Sequence, residues 1–176
     1  MAQTLDDQLP RTRLMSFRDR VDAQIALLDW VCAEVRGNPA LADGPILEVG
    51  LGNGRTYSHL LGRLPGRRVI VFDKDVKAHP MSRPAPEDFV RGQVRETVRD
   101  FADASGRKAV MIHSDIGDGT AATEADILTW IASVYASATA PGALVLCTQA
   151  LDDPAFERLA DPVPKYAARY GIYRRV

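Results

Sequence analysis

A glycine-rich turn lies between an apolar run and a helical pattern, and it constrains the fold more than any other feature of the chain. The run Ile46–Val49 contains Glu48, and Gly50, Gly52 and Gly54 follow at every second position. Glycine has no Cβ, so the backbone can turn tightly there and a ligand can lie against it. Free N–H groups at the start of the next helix point at such a ligand. The segment therefore predicts a strand, a turn and a helix that form a nucleotide-type pocket.

The spacing of the glycines distinguishes two kinds of pocket. A dinucleotide-binding turn has the pattern G-x-G-x-x-G, in which the third glycine lets helix and strand pack closely. Arg55 stands at that third position here, and the pattern is E-x-G-x-G-x-G. This pattern resembles motif I of the class I S-adenosylmethionine (SAM) dependent methyltransferases, and the resemblance extends from about Gly44 to Gly142.

The resemblance implies SAM as the cofactor and assigns roles to the residues of the turn. Gly50, Gly52 and Gly54 would make room for the amino-acid part of SAM. Glu48 would orient that end of the cofactor through the loop or a water. The alternative is a glycine-rich surface turn in another kind of α/β protein.

A second apolar run, Val69–Asp73, also ends in an acid. An acid at the tip of the second strand, about 20 residues beyond the glycines, accepts hydrogen bonds from ribose hydroxyls in nucleotide-binding folds. A carboxylate suits this task because it only accepts and can take both protons of a diol. Asp73 is thus a candidate ribose ligand, although the Asp73–Asp75 segment also suits a turn or a helix cap.

Two later segments extend the resemblance. The family often has Gly-Asp after its third strand, where the acid meets the adenine amino group, and this chain has Gly92-Gln93. Gln93 could still accept from that amine, or it could be a polar residue in the first turn of the next helix. The run 109–112 ends in polar residues that include His113 and Asp115, at a strand end where ligands bind in open α/β sheets.

His113 and Asp115 are the candidate catalytic residues, because they are expected beside the transferred methyl group. A neutral histidine there could accept a substrate proton near pH 7. The alternatives are a hydrogen-bonded core histidine and an aspartate that caps the next turn. No third ligand accompanies Asp115 and Asp118 at a suitable spacing, so no metal is expected.

Alternating strand and helix patterns predict an α/β fold: a doubly wound, mostly parallel sheet with helices on both faces, as in Rossmann-like methyltransferases. Residues 1–36 should form an N-terminal arm and helix, and residues 37–176 the SAM-binding domain, within one globular domain overall. The helix, expected over Thr12–Arg36, either covers the acceptor pocket or only one sheet face. Its expected apolar stripe consists of Phe17, Val21, Ile25, Leu28, Val31 and Val35.

The chain departs from the family pattern in two places. Three prolines within residues 77–86 forbid a regular helix, so this segment is either a loop over the adenosine side or a shortened connection. After the fifth strand, Pro154–Ala160 suits a short helix and Tyr170–Arg175 suits one last strand. This shortened C-terminal part would leave a sheet edge incompletely covered, which predicts a homo-oligomer, most simply a dimer. One amphipathic helix is expected over residues 127–138.

Composition excludes several classes of protein. The net charge is -1, and no aromatic and basic stripe suits RNA or DNA, so neither a nucleic acid nor a membrane is expected as a partner. Cys32 and Cys147 have no metal-ligand neighbours and are interpreted as reduced core thiols of a cytoplasmic protein.

The sequence thus predicts a SAM-dependent methyltransferase that acts on a small-molecule acceptor by in-line methyl transfer. Two alternatives stay open: an aminopropyl transferase-like enzyme on the same fold, and a non-catalytic SAM-binding regulatory or interaction protein.

Overall fold

The computed structural model of the protein describes residues 10–166 and 169–176. The helices are α1 (Arg13–Gly37), α2 (Arg55–Arg63), α3 (Val94–Ser105), α4 (Ala121–Leu128) and α5 (Ile131–Ala138). The strands are β1 (Ile46–Val49), β2 (Val69–Asp73), β3 (Phe89–Arg91), β4 (Ala109–Ser114), β5 (Thr139–Cys147), β6 (Phe156–Arg158) and β7 (Gly171–Arg175).

The seven strands form one sheet in the order β3-β2-β1-β4-β5-β7-β6. The strands from β3 to β5 are parallel, and β7 and β6 run antiparallel to their neighbours. The predicted α/β class is therefore confirmed. The order reverses between β1 and β4, and ligands bind outside the carboxyl ends of the strands at such a reversal.

Helices pack on both faces of the sheet and form two apolar cores. One core joins the sheet to α1 and α2, and the other joins it to α3, α4 and α5. Side chains alternate between the two faces along each strand, so Ile46 lies in the first core and Leu47 in the second. Glu48 and His113 are register partners on β1 and β4, which places the two side chains next to each other on the α1 and α2 side.

Helix α1 begins where the sequence predicts, after Thr12, whose hydroxyl accepts a hydrogen bond from the Met15 N–H at 3.2 Å. The expected stripe is only partly correct. Phe17 and Ile25 are 50% and 44% exposed, because the buried face instead follows steps of four residues. Its buried residues are Ala23, Leu27, Leu28, Val31, Cys32 and Val35.

The C-terminal part differs from the prediction. The helix expected over Pro154–Ala160 is wrong, because Phe156–Arg158 form β6 and pair antiparallel with β7. Phe156 is buried, while Glu157 and Arg158 are exposed. The last strand, β7, forms as expected and pairs with β5 on its other side. The edge beside β5 is therefore covered, and the sheet ends in a three-residue strand.

One expected helix is interrupted, and the proline-rich segment contains short 3-10 turns. The helix expected over 127–138 is broken, because Trp130 leaves the helical conformation with φ -134° and separates α4 from α5. The proline-rich segment forms two short 3-10 turns, Pro80–Ser82 and Pro86–Asp88, each with proline at its first position. Proline is tolerated there because the first N–H of a helical turn has no partner within it.

Candidate active site

A cavity of about 860 Å³ opens at the carboxyl ends of the parallel strands. It is bounded by the glycine turn after β1, the ends of β2 and β3, the loop after β4 and the first half of α1. Five of the eight predicted site residues line it: Gly50, Gly52, Asp73, Gln93 and Asp115. Its volume lies within the range of about 300–1,000 Å³ that is usual for small-molecule sites.

Gly52 and Gly54 have different functions in the turn. Gly52 has φ +48°, and a Cβ there would meet no atom within 4 Å, so the backbone borders open space. Gly54 has φ +77°, and its Cβ would lie 2.7 Å from the Ser82 carbonyl oxygen. The proline-rich segment therefore packs against the start of α2, where the His79 N–H also donates to the Asn53 carbonyl at 3.2 Å. This segment does not line the cavity and is the shortened connection between β2 and β3.

Asp73 holds the glycine turn against the end of β2. Its Oδ2 accepts hydrogen bonds from the backbone N–H groups of Leu51 at 2.8 Å and Gly52 at 3.2 Å. Among the residues that the structure describes, its Oδ1 accepts only a long bond, 3.3 Å, from the Asp75 N–H. A carboxylate has about four acceptor positions, so the half-buried side chain keeps capacity for a ligand in the cavity.

Gln93 lies at the junction of β3 and α3. It is the N-cap residue of α3, but its side chain makes no capping hydrogen bond. The side chain is exposed and borders the cavity. Gln93 thus stands at the helix start, one of the two alternatives from sequence, and its contact with adenine stays a prediction.

Glu48 and His113 form a buried pair beneath α1 and α2. His113 Nδ1 lies 2.7 Å from Glu48 Oε2, and both side chains are 0% exposed. Burial lowers the pKa of His113, but the adjacent Glu48 charge and hydrogen bond outweigh it and raise the pKa above its usual value. The other carboxylate oxygen of Glu48 accepts from the Thr56 hydroxyl at the start of α2. Glu48 therefore joins β1 and β4 to the helix that follows the glycine turn.

Neither Glu48 nor His113 lines the cavity. The buried His113 side chain is thus not at the position expected for a group that takes a proton from substrate. Its Nε2 is also buried and has no hydrogen-bond partner among residues 10–166 and 169–176. The core-histidine alternative considered from sequence is the one that this geometry favours.

Asp115 follows β4 and ties α1 to the carboxyl edge of the sheet. Its Oδ2 accepts from Arg20 Nη2 at 2.5 Å, from Gln24 Nε2 at 2.9 Å and from the Tyr170 hydroxyl at 3.3 Å. The hydrogen bond to Asp115 raises the pKa of Arg20. Burial raises the pKa of Tyr170 to about 12, so its hydroxyl is a donor at neutral pH.

The hydrogen-bond donors to Asp115 were not predicted from the sequence. Arg20 and Gln24 are one helical turn apart on α1, and a polar i, i+4 pair beside an apolar stripe was the available signal. Phe17 on the same helix also lines the cavity, and the Arg55 guanidinium carbon lies 5.6 Å from its ring centroid. Helix α1 therefore both covers a sheet face and supplies a wall of the site.

The described residues do not support a cysteine nucleophile or a metal site. Burial raises the pKa of Cys32 to about 11 and of Cys147 to about 12, so both are protonated thiols in the core rather than nucleophiles. Across residues 10–166 and 169–176, no three His, Cys, Asp or Glu side chains are grouped to hold a metal ion. In the same residues, no helix combines the length and apolar character that a bilayer crossing requires.

The sheet order, the glycine turn after β1 and the acid at the end of β2 define a class I methyltransferase fold. Comparison with known proteins is more specific. The chain belongs to a family of S-adenosyl-L-methionine methyltransferases, whose family model matches residues 11–175. The cofactor is SAM, and the match favours a methyltransferase over the aminopropyl-transferase and non-catalytic alternatives.

Solved structures agree with this assignment. The chain is similar to an S-adenosyl-L-methionine methyl transferase from Silicibacter pomeroyi DSS-3, with 31% identity, 95% of this chain and 100% of that chain covered, and a TM-score of 0.82. It shares the fold of TrmN from Thermus thermophilus, at 15% identity, 86% and 49% coverage and a TM-score of 0.60. It also shares the fold of SAH-bound PaMTH1 from Podospora anserina, at 16% identity, 96% and 98% coverage and a TM-score of 0.52. A search of curated proteins finds no significant match.

Proposed function

We propose that this methyltransferase acts on a small-molecule acceptor, which it binds next to Asp115 at the α1 side of the cavity. One observation carries the proposal. A single cavity brings the predicted cofactor residues of the glycine turn, β2 and β3 together with Asp115 and the polar face of α1.

The described residues fit the cofactor. Gly52 leaves open space where any other residue would place a side chain, and Asp73 keeps free acceptor capacity for a ribose diol. Gln93 is free to meet the adenine ring, and Glu48 acts from the core by holding α2 behind the turn. SAM, when bound, supplies an activated methyl group, and the protein's task is to position the acceptor and exclude water.

Asp115 is the proposed contact with the acceptor. Three donors hold its Oδ2, and no described residue donates to its Oδ1. A carboxylate fixed in this way can accept a hydrogen bond from an acceptor N–H or O–H and so orient the nucleophile. His113 has a positioning role in this scheme, because it acts through Glu48 and not on the acceptor. A small acceptor fits a site that α1 walls off and a chain whose net charge is -1.

Calorimetry and a methyl-transfer assay test the proposal together. S-adenosylhomocysteine (SAH) should bind with 1:1 stoichiometry, and radiolabelled methyl groups should pass from SAM to a metabolite extract. Label found only in added RNA or protein would contradict a small-molecule acceptor. Absence of both SAM and SAH binding would contradict the assigned cofactor site.

A homodimer and a cytoplasmic location remain predictions. The uncovered edge that suggested the dimer is closed by β7 and β6, so exposed apolar side chains on α1, such as Leu14 and Ile25, are its remaining support. Light scattering that gives a monomer of 19.2 kDa at high concentration would contradict it. The two free buried thiols suit a reducing compartment.

A further inference from the structure

A second cavity, of about 550 Å³, adjoins the first along the loop after β4. The two cavities share Arg20 and the segment 115–118. Asp115 therefore lies at the boundary between the first cavity and the second. The second cavity extends towards the loop after β5, and Gln149, Arg169 and Tyr170 are among its lining residues.

The acidic side chains of the second cavity are occupied by neighbouring donors. Asp118 accepts from the Thr120 N–H at 2.9 Å, the Thr120 hydroxyl at 2.8 Å and the Thr123 hydroxyl at 3.1 Å. Glu124 accepts from Gln149 Nε2 at 3.0 Å, and Gln149 is itself buried. Asp115 takes its three donors from Arg20, Gln24 and Tyr170. Neutral hydroxyl, N–H and amide donors hold Asp118 and Glu124 in the packing of the loop and α4 without cancelling their charges, whereas Asp115 is also paired with the Arg20 cation.

Arg169 is the exception among the charged groups of this cavity. Its half-buried side chain makes no ion pair and no hydrogen bond within residues 10–166 and 169–176. Arg20 lies in the same wall and uses one terminal nitrogen for Asp115, which leaves further N–H donors of its guanidinium. Free side-chain N–H donors in this cavity therefore include those of the Arg169 and Arg20 guanidinium groups, which suit the planar, paired oxygens of carboxylate and phosphate.

We propose that the second cavity binds the methyl acceptor, and that this acceptor carries a carboxylate or phosphate group held by Arg169 with help from Arg20. The opposite end of the acceptor, with its N–H or O–H nucleophile, then lies at Asp115, on the boundary with the cofactor cavity. The inference rests on the proposed function, since it keeps the nucleophile at Asp115, extends the acceptor site from there into the second cavity and assigns a substrate class to it.

The test uses the full chain saturated with SAH and three small probe ions: inorganic phosphate, acetate and methylammonium. Binding is measured by calorimetry for the wild type, for Arg169→Gln and for the control Arg174→Gln. The control removes the same charge from the C-terminal hairpin, where Arg174 pairs with Glu157 outside both cavities. Phosphate or acetate should bind the wild type and the control equally, and Arg169→Gln should weaken that binding about tenfold or more. Tighter binding of phosphate would indicate a phosphorylated acceptor, and tighter binding of acetate a carboxylated one.

Failure of the inference can be separated from failure of the proposed function. If SAH binds but only methylammonium is bound, or neither anion is bound, the anionic acceptor is wrong while the cofactor site stands. If an anion binds Arg169→Gln as well as it binds the control, the assignment to Arg169 is wrong. If SAH itself does not bind the wild type, the proposed function fails first.

Discussion

His113 Nδ1 lies 2.7 Å from Glu48 Oε2, and neither side chain is exposed to solvent. The pair joins β1 and β4 one register position before Val49 and Ser114, the last pair ahead of the glycine turn. Since Glu48 also accepts from Thr56, the pair connects the sheet to α2. A buried pair of this kind holds the backbone around the site in place. Its loss should therefore lower the stability of the fold, by an amount that depends on pH.

The first prediction concerns His113→Gln. Removing one partner of a buried charged pair should lower the free energy of unfolding by about 3 kcal/mol. The raised pKa of His113 means that the folded state binds its proton more tightly, so the stabilisation is fully present below the unfolded pKa and is lost as pH rises through the folded value. The difference between wild type and variant, measured by urea unfolding from pH 6 to 9, should therefore shrink with rising pH.

His59→Gln is the control, because His59 lies 2.8 Å from Asp29 but both side chains are partly exposed. It should cost less than about 1 kcal/mol. A cost of His113→Gln that stays constant over this pH range would show that the protonated ring does not carry the interaction.

The second prediction concerns Gly52→Val. The new side chain would stand in the open space beside the turn and should reduce SAH affinity at least about tenfold. The left-handed backbone at φ +48° should add a stability cost of about 1–2 kcal/mol. Gly66→Val is matched, since Gly66 also has positive φ, +77°, and open space but does not line the cavity. Calorimetry should find normal SAH affinity for Gly66→Val, and equal affinities for the two variants would contradict the placement.

The third prediction concerns Asp73→Asn. The amide oxygen can still accept from the Leu51 and Gly52 N–H groups, so the turn should keep its shape. The amide nitrogen cannot accept from a ribose hydroxyl, and SAH affinity should fall about tenfold or more. Asp75→Asn, an exposed neighbour that pairs with Arg91, is the control and should bind normally. If Asp73→Asn keeps wild-type affinity in calorimetry, Asp73 serves the turn alone.

The fourth prediction concerns Arg20→Met, which removes the closest donor to Asp115. Because Arg20 is about half exposed, the stability cost should stay below about 1 kcal/mol. Amide hydrogen exchange in the first half of α1 should speed up, and methyl transfer should fall while SAH affinity is kept. Arg18→Met on the same helix, whose partner is the adjacent Asp19, is the control. Equal exchange and turnover in the two variants would show that α1 is only a cover.

Much of the cofactor side was predictable because it depends on short-range requirements. A tight turn with positive φ requires glycine, and the strand before it requires a buried apolar run, so Gly52, Asp73 and the ends of β1 and β2 were readable from local patterns. The helix α1 was found from its local apolar pattern, whereas Thr12 as its N-cap is seen only in the structure. These signals lie within short stretches of consecutive residues and do not depend on distant partners.

The acceptor side and the C-terminal edge were decided by contacts between distant segments. Arg20 and Asp115 are 95 positions apart, and only the packing of α1 over the sheet makes the arginine a neighbour of the β4 end. Strand β6 has three residues, too few for a periodic pattern, and exists because β7 offers it an unpaired row of backbone groups. His113 looked like a strand-tip base in sequence, whereas the register with β1 turns it towards Glu48 in the core. Local chain chemistry thus specified the glycine turn, and long-range packing placed Arg20 and Asp115, the residues that we propose face the acceptor.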